Sequence, residues 1–483
     1  MAAGICGKGR VMNLHLTHRS YDAAIAELQN RFGAAASTGA SVLDLHAGDE
    51  SHHARQRPDI VVRPQSTQDV AEIVKIAVRH RIPITAFGAG SGLEGGAIPV
   101  HGGISLDTSD LNEIVEIRAD DMIARVGAGV RRLDLNHALR DTGLFFPVDP
   151  GANASIGGMV STGASGTNAV RYGVMRENVL GLTVVTANGD IVKTGSLARK
   201  SSSGYDLTRL FVGSEGTLGI VTEVLLRLHP IPEARSAHAG FATLAGAVNA
   251  VTDIKRAGLS IGRVELVDQP LVDVINRRGE LSLVPLPTLF FEFHGSVAEI
   301  DTLSETIEQI ISDNGGTPLR WTDTAQDTKL LWETRRDCLA WAKAERPGSH
   351  SWPSDVCVPI SRLAEVILKT RQDVASSIAP AFIVGHVGDG NFHCVFMLHQ
   401  HEETEVADYA SRIVQRAIAA GGTASGEHGI GLGKRQYLQS EHGAEAIALM
   451  QTLKTALDPL GIFNPGKVLP DVGSFSNTSS EHP

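Results

Sequence analysis

With 483 residues the chain is too long for one core, and 42% hydrophobic with 20% charged residues is an ordinary globular composition. A formal net charge of −11 argues against nucleic acid as a partner and requires a local cationic site for any anionic ligand. The four cysteines (Cys6, Cys338, Cys357, Cys394) are scattered, which argues against a disulfide framework and a thiolate metal site, and no apolar run is long enough for a transmembrane segment.

Residues 1–54 are expected as an N-terminal helical segment. Lys8, Arg10 and Arg19 precede the first acid, Asp22, but the stretch is short and Gly-rich. A cleaved presequence is the minor alternative to a cytoplasmic default. A first domain is read over 55–232. In it Thr67–Arg81 is a helix, with Val70, Ile73, Val74, Ala77 and Val78 in one stripe and Ser66 and Asp69 in a capping-box-like start. Pro83 ends it and Ile84–Phe87 is a strand. Ile220–Leu228 is a strand ended by the two prolines of His229-Pro-Ile-Pro-Glu233.

A second domain is read over 233–440. Strands are expected at Val264–Val267, Leu289–His294, Val356–Val358 and Phe382–Val384, and helices at Ile300–Ser312, Ala325–Ala344 and Leu363–Ser376. The order implies an α+β domain, an antiparallel sheet with helices on one side. Residues 441–470 hold a helix at Ala444–Leu457 and a Gly461-to-Lys467 segment that returns to the first domain. The Ser-rich end, 471–483, reads as disordered.

The glycines crowd into residues 85–220. Phe87-Gly88-Ala89-Gly90-Ser91-Gly92 follows a strand, so its amides can form a nest for a diphosphate. Leu93 stands where a dinucleotide fingerprint needs glycine, so a plain turn is an equal reading of this segment alone. Pro147–Ala152, Ser155–Gly158, Thr162–Thr167 and Gly213–Val221 are four more small-residue loops between apolar runs, suggesting a long ligand threaded between two subdomains.

These segments resemble the FAD-binding domain of the vanillyl-alcohol oxidase superfamily and, within it, the D-lactate dehydrogenase (cytochrome) family. Phe146-Pro-Val-Asp-Pro-Gly-Ala152, Ser165-Gly-Thr-Asn-Ala-Val-Arg-Tyr-Gly173 and Leu210-Phe-Val-Gly-Ser-Glu-Gly-Thr-Leu-Gly219 carry the resemblance, which spans about residues 55–470. It implies a two-subdomain FAD domain and an α+β cap. Cofactor contacts fall to Phe87, Gly88, Ala89, Gly90, Ser91, Gly92, Pro150, Gly151, Ser155, Gly157, Gly158, Thr162, Gly166, Thr167, Glu215, Gly216, Ile220, Val221 and Asn464. No His or Cys lies in the named loops, so non-covalent FAD is expected.

Ile383-Val-Gly-His-Val-Gly-Asp-Gly-Asn-Phe-His-Cys394 reads as a hairpin turning at Asp389-Gly390. A two-residue turn sets His386 opposite His393, with Cβ atoms about 5 Å apart and both rings in reach of one metal. A pair of surface histidines is the alternative. Cys394 points to the other face. Ser425-Gly-Glu-His-Gly-Ile-Gly431 offers a carboxylate, Glu427, that completes a metal set with open positions, or else is a polar loop. In extended backbone Glu427 and His428 point opposite ways.

The resemblance implies His386, His393 and Glu427 as metal ligands and His428 as catalytic base. Arg335 matches a clamp for the substrate carboxylate, although residues alone favour a helix salt bridge. Asn391 is a candidate for supporting the site or binding substrate. The implied reaction is oxidation of D-lactate with FAD and one divalent metal, Zn or Mn, with Fe(II) also admissible. Electrons pass to cytochrome c, an electron-transfer flavoprotein or a quinone. Another D-2-hydroxy acid (2-hydroxyglutarate, glycolate) and a non-redox, alkylglycerone-phosphate synthase-like transferase are the alternatives. Peripheral membrane association, a mitochondrial location in a eukaryote and a homodimer stay open. Relatives preferring 2-hydroxyglutarate carry lysine two residues before an Asp matched here by Asp355. That position is Pro353, which implies poor use of the dicarboxylate unless Lys343 or Arg346 enters the pocket.

Overall fold

The computed structural model describes residues 21–470. The basic N-terminal stretch and the 471–483 tail, with the presequence and disorder readings placed on them, lie outside the described residues.

Strands β1 (Ala36–Ser37), β2 (Ile60–Val62), β3 (Ile84–Phe87) and β4 (Ile104–Asp107) form a sheet in the order β1-β2-β4-β3, with β2 and β3 parallel to β4. The helix Thr67–His80 covers it through Val70, Ile73, Val74 and Ala77. It starts at Ser66, whose Oγ accepts the Asp69 amide at 3.1 Å, and stops at Arg81 in left-handed backbone.

The next strands are β5 (Ile114–Arg118), β6 (Ile123–Gly127), β7 (Leu144–Phe145), β8 (Val179–Val185), β9 (Ile191–Gly195), β10 (Ile220–Arg227) and β11 (His229–Pro230). β7 pairs with β11, and the rest make an antiparallel sheet ordered β5-β6-β10-β8-β9. Ser155–Gly158, read from sequence as a loop, instead opens a short helix, Ile156–Thr162. Ser155 Oγ accepts the Gly158 amide at 3.3 Å, while glycines disguise the first turn.

Strands β12 (Ala234–Gly240), β13 (Arg263–Val267), β14 (Thr288–His294), β15 (Arg320–Trp321), β16 (His350–Pro353), β17 (Val356–Cys357), β18 (Ala381–Gly385) and β19 (Asn391–Leu398) build the cap sheet. Its order is β15-β12-β14-β13-β18-β19-β16, antiparallel throughout, with β17 on β19. Helices cover both faces, not the one expected. Ile383, Phe291 and Phe396 pack with Leu244–Arg256, Val297–Asp313, Leu363–Val374 and Glu403–Ala419. On the other face Phe382, Val384 and Val395 pack with Gln269–Arg278 and Ala325–Ala344. The physical reason is that β18 and β19 are buried at every position, as in sheets covered twice.

The helix Leu438–Leu457 kinks at Gly443, and the chain then returns to the first sheet, where the Asn464 amide donates to Ile84 O at 2.8 Å. Among the described residues no helix is long and apolar enough to cross a membrane.

Candidate active site

One cavity of about 880 Å³ runs between the glycine loops and the cap, large enough for a dinucleotide-sized ligand. Phe87 to Gly92, Pro150, Gly151, Ser155, Gly157, Gly158, Thr162, Thr167, Glu215, Gly216, Ile220 and Val221 all line it. Gly166 and Asn464 do not. Gly166 packs on Asp149, and Asn464 Nδ2 donates to Gly96 O at 3.0 Å and Glu215 O at 2.8 Å, joining two of the loops. At Gly88 a Cβ would lie 2.4 Å from Ser155 Oγ, so only glycine lets these segments meet. A cradle of backbone and small side chains, with Arg132 and Arg263 on its wall, fits a long ligand carrying a diphosphate.

The same cavity is lined by His386, His393, Glu427 and His428. The hairpin register differs from the expected one. Val384, not His386, pairs with His393, and His386 to Gly390 form a five-residue connection. The β18–β19 ladder ends at Val384–His393, so the Asp389-Gly390 turn does not close it directly. His386 stays on the same side, and the two ring centroids are 5.5 Å apart. Glu427 Oε1 lies 3.3 Å from His386 Nε2 and 3.2 Å from His393 Nε2. The three donor atoms sit within 4.8 Å of one another, and Glu427 Oε2 is buried without a hydrogen-bond partner. Two imidazoles and an orphaned carboxylate oxygen fit a divalent cation. Against burial, His386 and His393 hold the Glu427 carboxyl far below the usual range.

Glu427 and His428 do not diverge as expected from extended backbone. Asp355 Oδ2 accepts both of their amides at 2.9 Å and curls the loop. The His428 ring therefore stacks on His393, with centroids 5.0 Å apart and a 9° interplanar angle, and its Nε2 is 3.8 Å from Glu427 Oε1. Burial pushes His428 down to about 4, although Asp355 pulls the other way, so its imidazole is neutral and able to take a proton. Asp355, His393 and His428 form a second group of metal-ligand spacing that shares His393 with the first.

Asn391 does not line the cavity. Its Nδ2 donates to Asp355 Oδ1 at 2.8 Å and Val356 O at 3.0 Å, which makes it a support for Asp355. A Cβ at Gly426 would lie 2.0 Å from that nitrogen, hence glycine there. Arg335 lines the cavity but is no surface helix pair: its Nη2 bonds Glu265 Oε2 at 2.7 Å across to β13. The other Glu265 oxygen meets His386 Nδ1, also at 2.7 Å, and orients that ring so that Nε2 faces Glu427.

Sequence reasoning missed the supporting roles of Glu265, Asp355, Glu94 and Lys434. Lys434 Nζ bonds Asp355 O at 2.8 Å and lies 3.2 Å from Glu94 Oε1. The available signal was an acid inside an apolar strand, Arg263-Val-Glu-Leu-Val267. Of the two cations weighed for a distal carboxylate, Arg346 is bound to Glu402, at 2.6 and 2.8 Å. Lys343 does line the cavity, at its exposed mouth, and so does Pro353.

A two-part cradle of glycine loops under a cap that brings in a histidine–carboxylate cluster defines an FAD-binding oxidoreductase. The FAD-binding domain model matches residues 58–195, and the C-terminal domain model of FAD-linked oxidases matches 231–468. In fold the chain resembles p-cresol methylhydroxylase with substrate bound, at TM-score 0.77 and 17% identity, covering 93% of this chain and 96% of that one. Alkyldihydroxyacetonephosphate synthase is also similar, at 0.72 and 19%, covering 92% and 85%. In sequence the chain is 46% identical over 440 residues to a probable mitochondrial D-lactate dehydrogenase of Danio rerio, 90% of this chain and 88% of that one. It is 41% identical to a mitochondrial D-lactate dehydrogenase [cytochrome] of Arabidopsis thaliana (87% and 75%), and 36% to a glycolate oxidase subunit of Bacillus subtilis (88% and 92%). The chain belongs to the D-lactate dehydrogenase (cytochrome) family of FAD-linked oxidases.

Proposed function

We propose that the chain oxidises D-lactate to pyruvate, and that His428, Arg335 and the His386–His393–Glu427 set carry the reaction. The observation behind this reading is that all five side chains open into the cavity lined by the FAD loops. FAD, held non-covalently, supplies the hydride acceptor at N5, and a divalent metal, Zn or Mn, supplies Lewis acidity at the substrate oxygens. Arg335 receives the substrate carboxylate, with Glu265 fixing its guanidinium plane. His428 takes the hydroxyl proton, a step worth about 10²–10⁴-fold. Leu339, Val384, Val395 and Met397 give the cavity apolar walls that exclude water near the reacting carbon.

The names of the curated relatives favour D-lactate as substrate, a cytochrome as acceptor and, for a eukaryotic chain, mitochondria. Pro353 at the cavity wall supports a small monocarboxylate, because it offers no charge where relatives that prefer the dicarboxylate carry a lysine, and a distal carboxylate buried there unpaired would cost at least a few kcal/mol. Lys343 stands two helical turns from Arg335, about 12 Å along the axis. We expect kcat/KM for D-lactate to exceed that for D-2-hydroxyglutarate by orders of magnitude, with glycolate between them. A preference for the dicarboxylate would overturn the substrate while sparing the flavin assignment.

A further inference from the structure

The loop bearing Glu427 and His428 is gripped from both domains. The cap takes the amides of 427 and 428 through Asp355. Two residues on, the first domain takes over. The amides of Ile430 and Gly431 donate to Glu215 Oε1 and Oε2 at 2.7 and 2.9 Å, and the Leu432 amide donates to Glu94 O at 2.7 Å. Glu215 belongs to the Gly213-Ser-Glu-Gly-Thr217 turn that lines the cofactor cavity.

Three features set this carboxylate apart from an ordinary loop acid. It is 7% exposed, and each of its two oxygens accepts a backbone amide. Its backbone is left-handed, with φ of 50°, a state an L side chain adopts only when its surroundings impose it. The imposing contacts are its own amide on Ser161 O at 2.8 Å and its carbonyl under Asn464 Nδ2 at 2.8 Å. Both oxygens are thus committed to the loop, and the backbone beneath them is fixed to the cavity wall.

We infer that Glu215 is a positioning residue for the proposed oxidation: its carboxylate registers the His428 loop against the cofactor cavity. It acts through the backbone at 430 and 431, and it touches neither His428 nor Glu427. The kinetic part of the inference rests on the proposed function. The structural part does not.

Glu215→Gln is the decisive change, because one acceptor oxygen becomes an NH2 group facing a backbone N–H. In the flavin-loaded variant, hydrogen–deuterium exchange over residues 428–432 should speed up about tenfold or more, while flavin content stays at the wild-type ratio. With whichever hydroxy acid reduces the wild type, kcat should fall about 10- to 100-fold, and KM should move no more than about threefold. Wild-type exchange together with wild-type kcat overturns the inference. So does a folded variant that has lost its flavin, which would give the carboxylate to the cofactor. Should the Gln variant fail to fold, Glu215→Asp keeps both acceptors at shorter reach and must show the same split at smaller size; wild-type behaviour there overturns it equally. If no hydroxy acid reduces the wild-type flavin, the proposed function fails, and the exchange rates still judge Glu215.

Discussion

At His428 opposing influences meet: burial favours the neutral ring, while Asp355 Oδ2 at 3.9 Å favours the charged one. The balance gives a base that is uncharged at neutral pH yet has a carboxylate beside it to stabilise the imidazolium once formed. His428→Ala should leave a yellow, folded, metal-bearing protein whose kcat is lower by about a hundredfold or more. Near-normal turnover would remove the base, and loss of metal would move His428 into the ligand set it forms with Asp355 and His393. His386 and His393 stood out as titratable residues on either side of a turn between apolar runs and Glu427 as a carboxylate among glycines, whereas the base role of His428 came from the family resemblance. Asp355 was not legible in its supporting role. An acid ahead of a strand looks solvent-facing until the fold brings the amides of 427 and 428 onto it.

Strand β13 shows how one element sets another. Its alternation sends Val264 and Leu266 to one face and Glu265 to the other, where Glu265 joins Arg335 to His386. Glu265→Gln should weaken metal affinity about 10- to 100-fold, because the amide no longer fixes the His386 tautomer with a charge behind it. A metal titration followed by elemental analysis measures this, and an unchanged affinity would leave Glu265 with Arg335 alone. At this scale the sequence revealed some helices well and left Leu244–Arg256, Gln269–Arg278 and Glu403–Ala419 unread. Ala325–Ala344 appears with the bounds its periodicity predicts, and Thr67–His80 within a residue. The hairpin register was not legible, because Asp389-Gly390 marks a turn but not where pairing stops. What stayed hidden is that Ala325–Ala344 and Gln269–Arg278 cover the opposite face of the cap sheet from the other helices, since near-continuous apolar strands were read for their existence and not for their two buried faces.

Across the whole molecule a net charge of −11 repels anions, and the cavity wall sets Arg132, Arg263, Arg335, Arg336 and Lys343 among the carboxyl groups of Glu50, Glu94, Asp149, Glu215 and Glu427. The sequence pointed to Arg335 alone; Arg335, Arg336 and Lys343 share the helix Ala325–Ala344, and only the closure of the cap over the first domain brings Arg132 to them and to Arg263. That closure is also what places the flavin loops and the histidine–glutamate cluster in one chamber. Flavin reduction by substrate should therefore depend on the metal cluster and the flavin together. Anaerobic D-lactate is mixed with flavin-loaded enzyme before chelation, after chelation and after readdition of Zn or Mn, and flavin absorbance is followed. It should bleach with D-lactate and far more slowly with L-lactate, lose the response with the metal, and regain it on readdition. Full-rate bleaching by enzyme shown to be metal-free, or no bleaching by D-lactate in the metal-replete enzyme, would contradict the account.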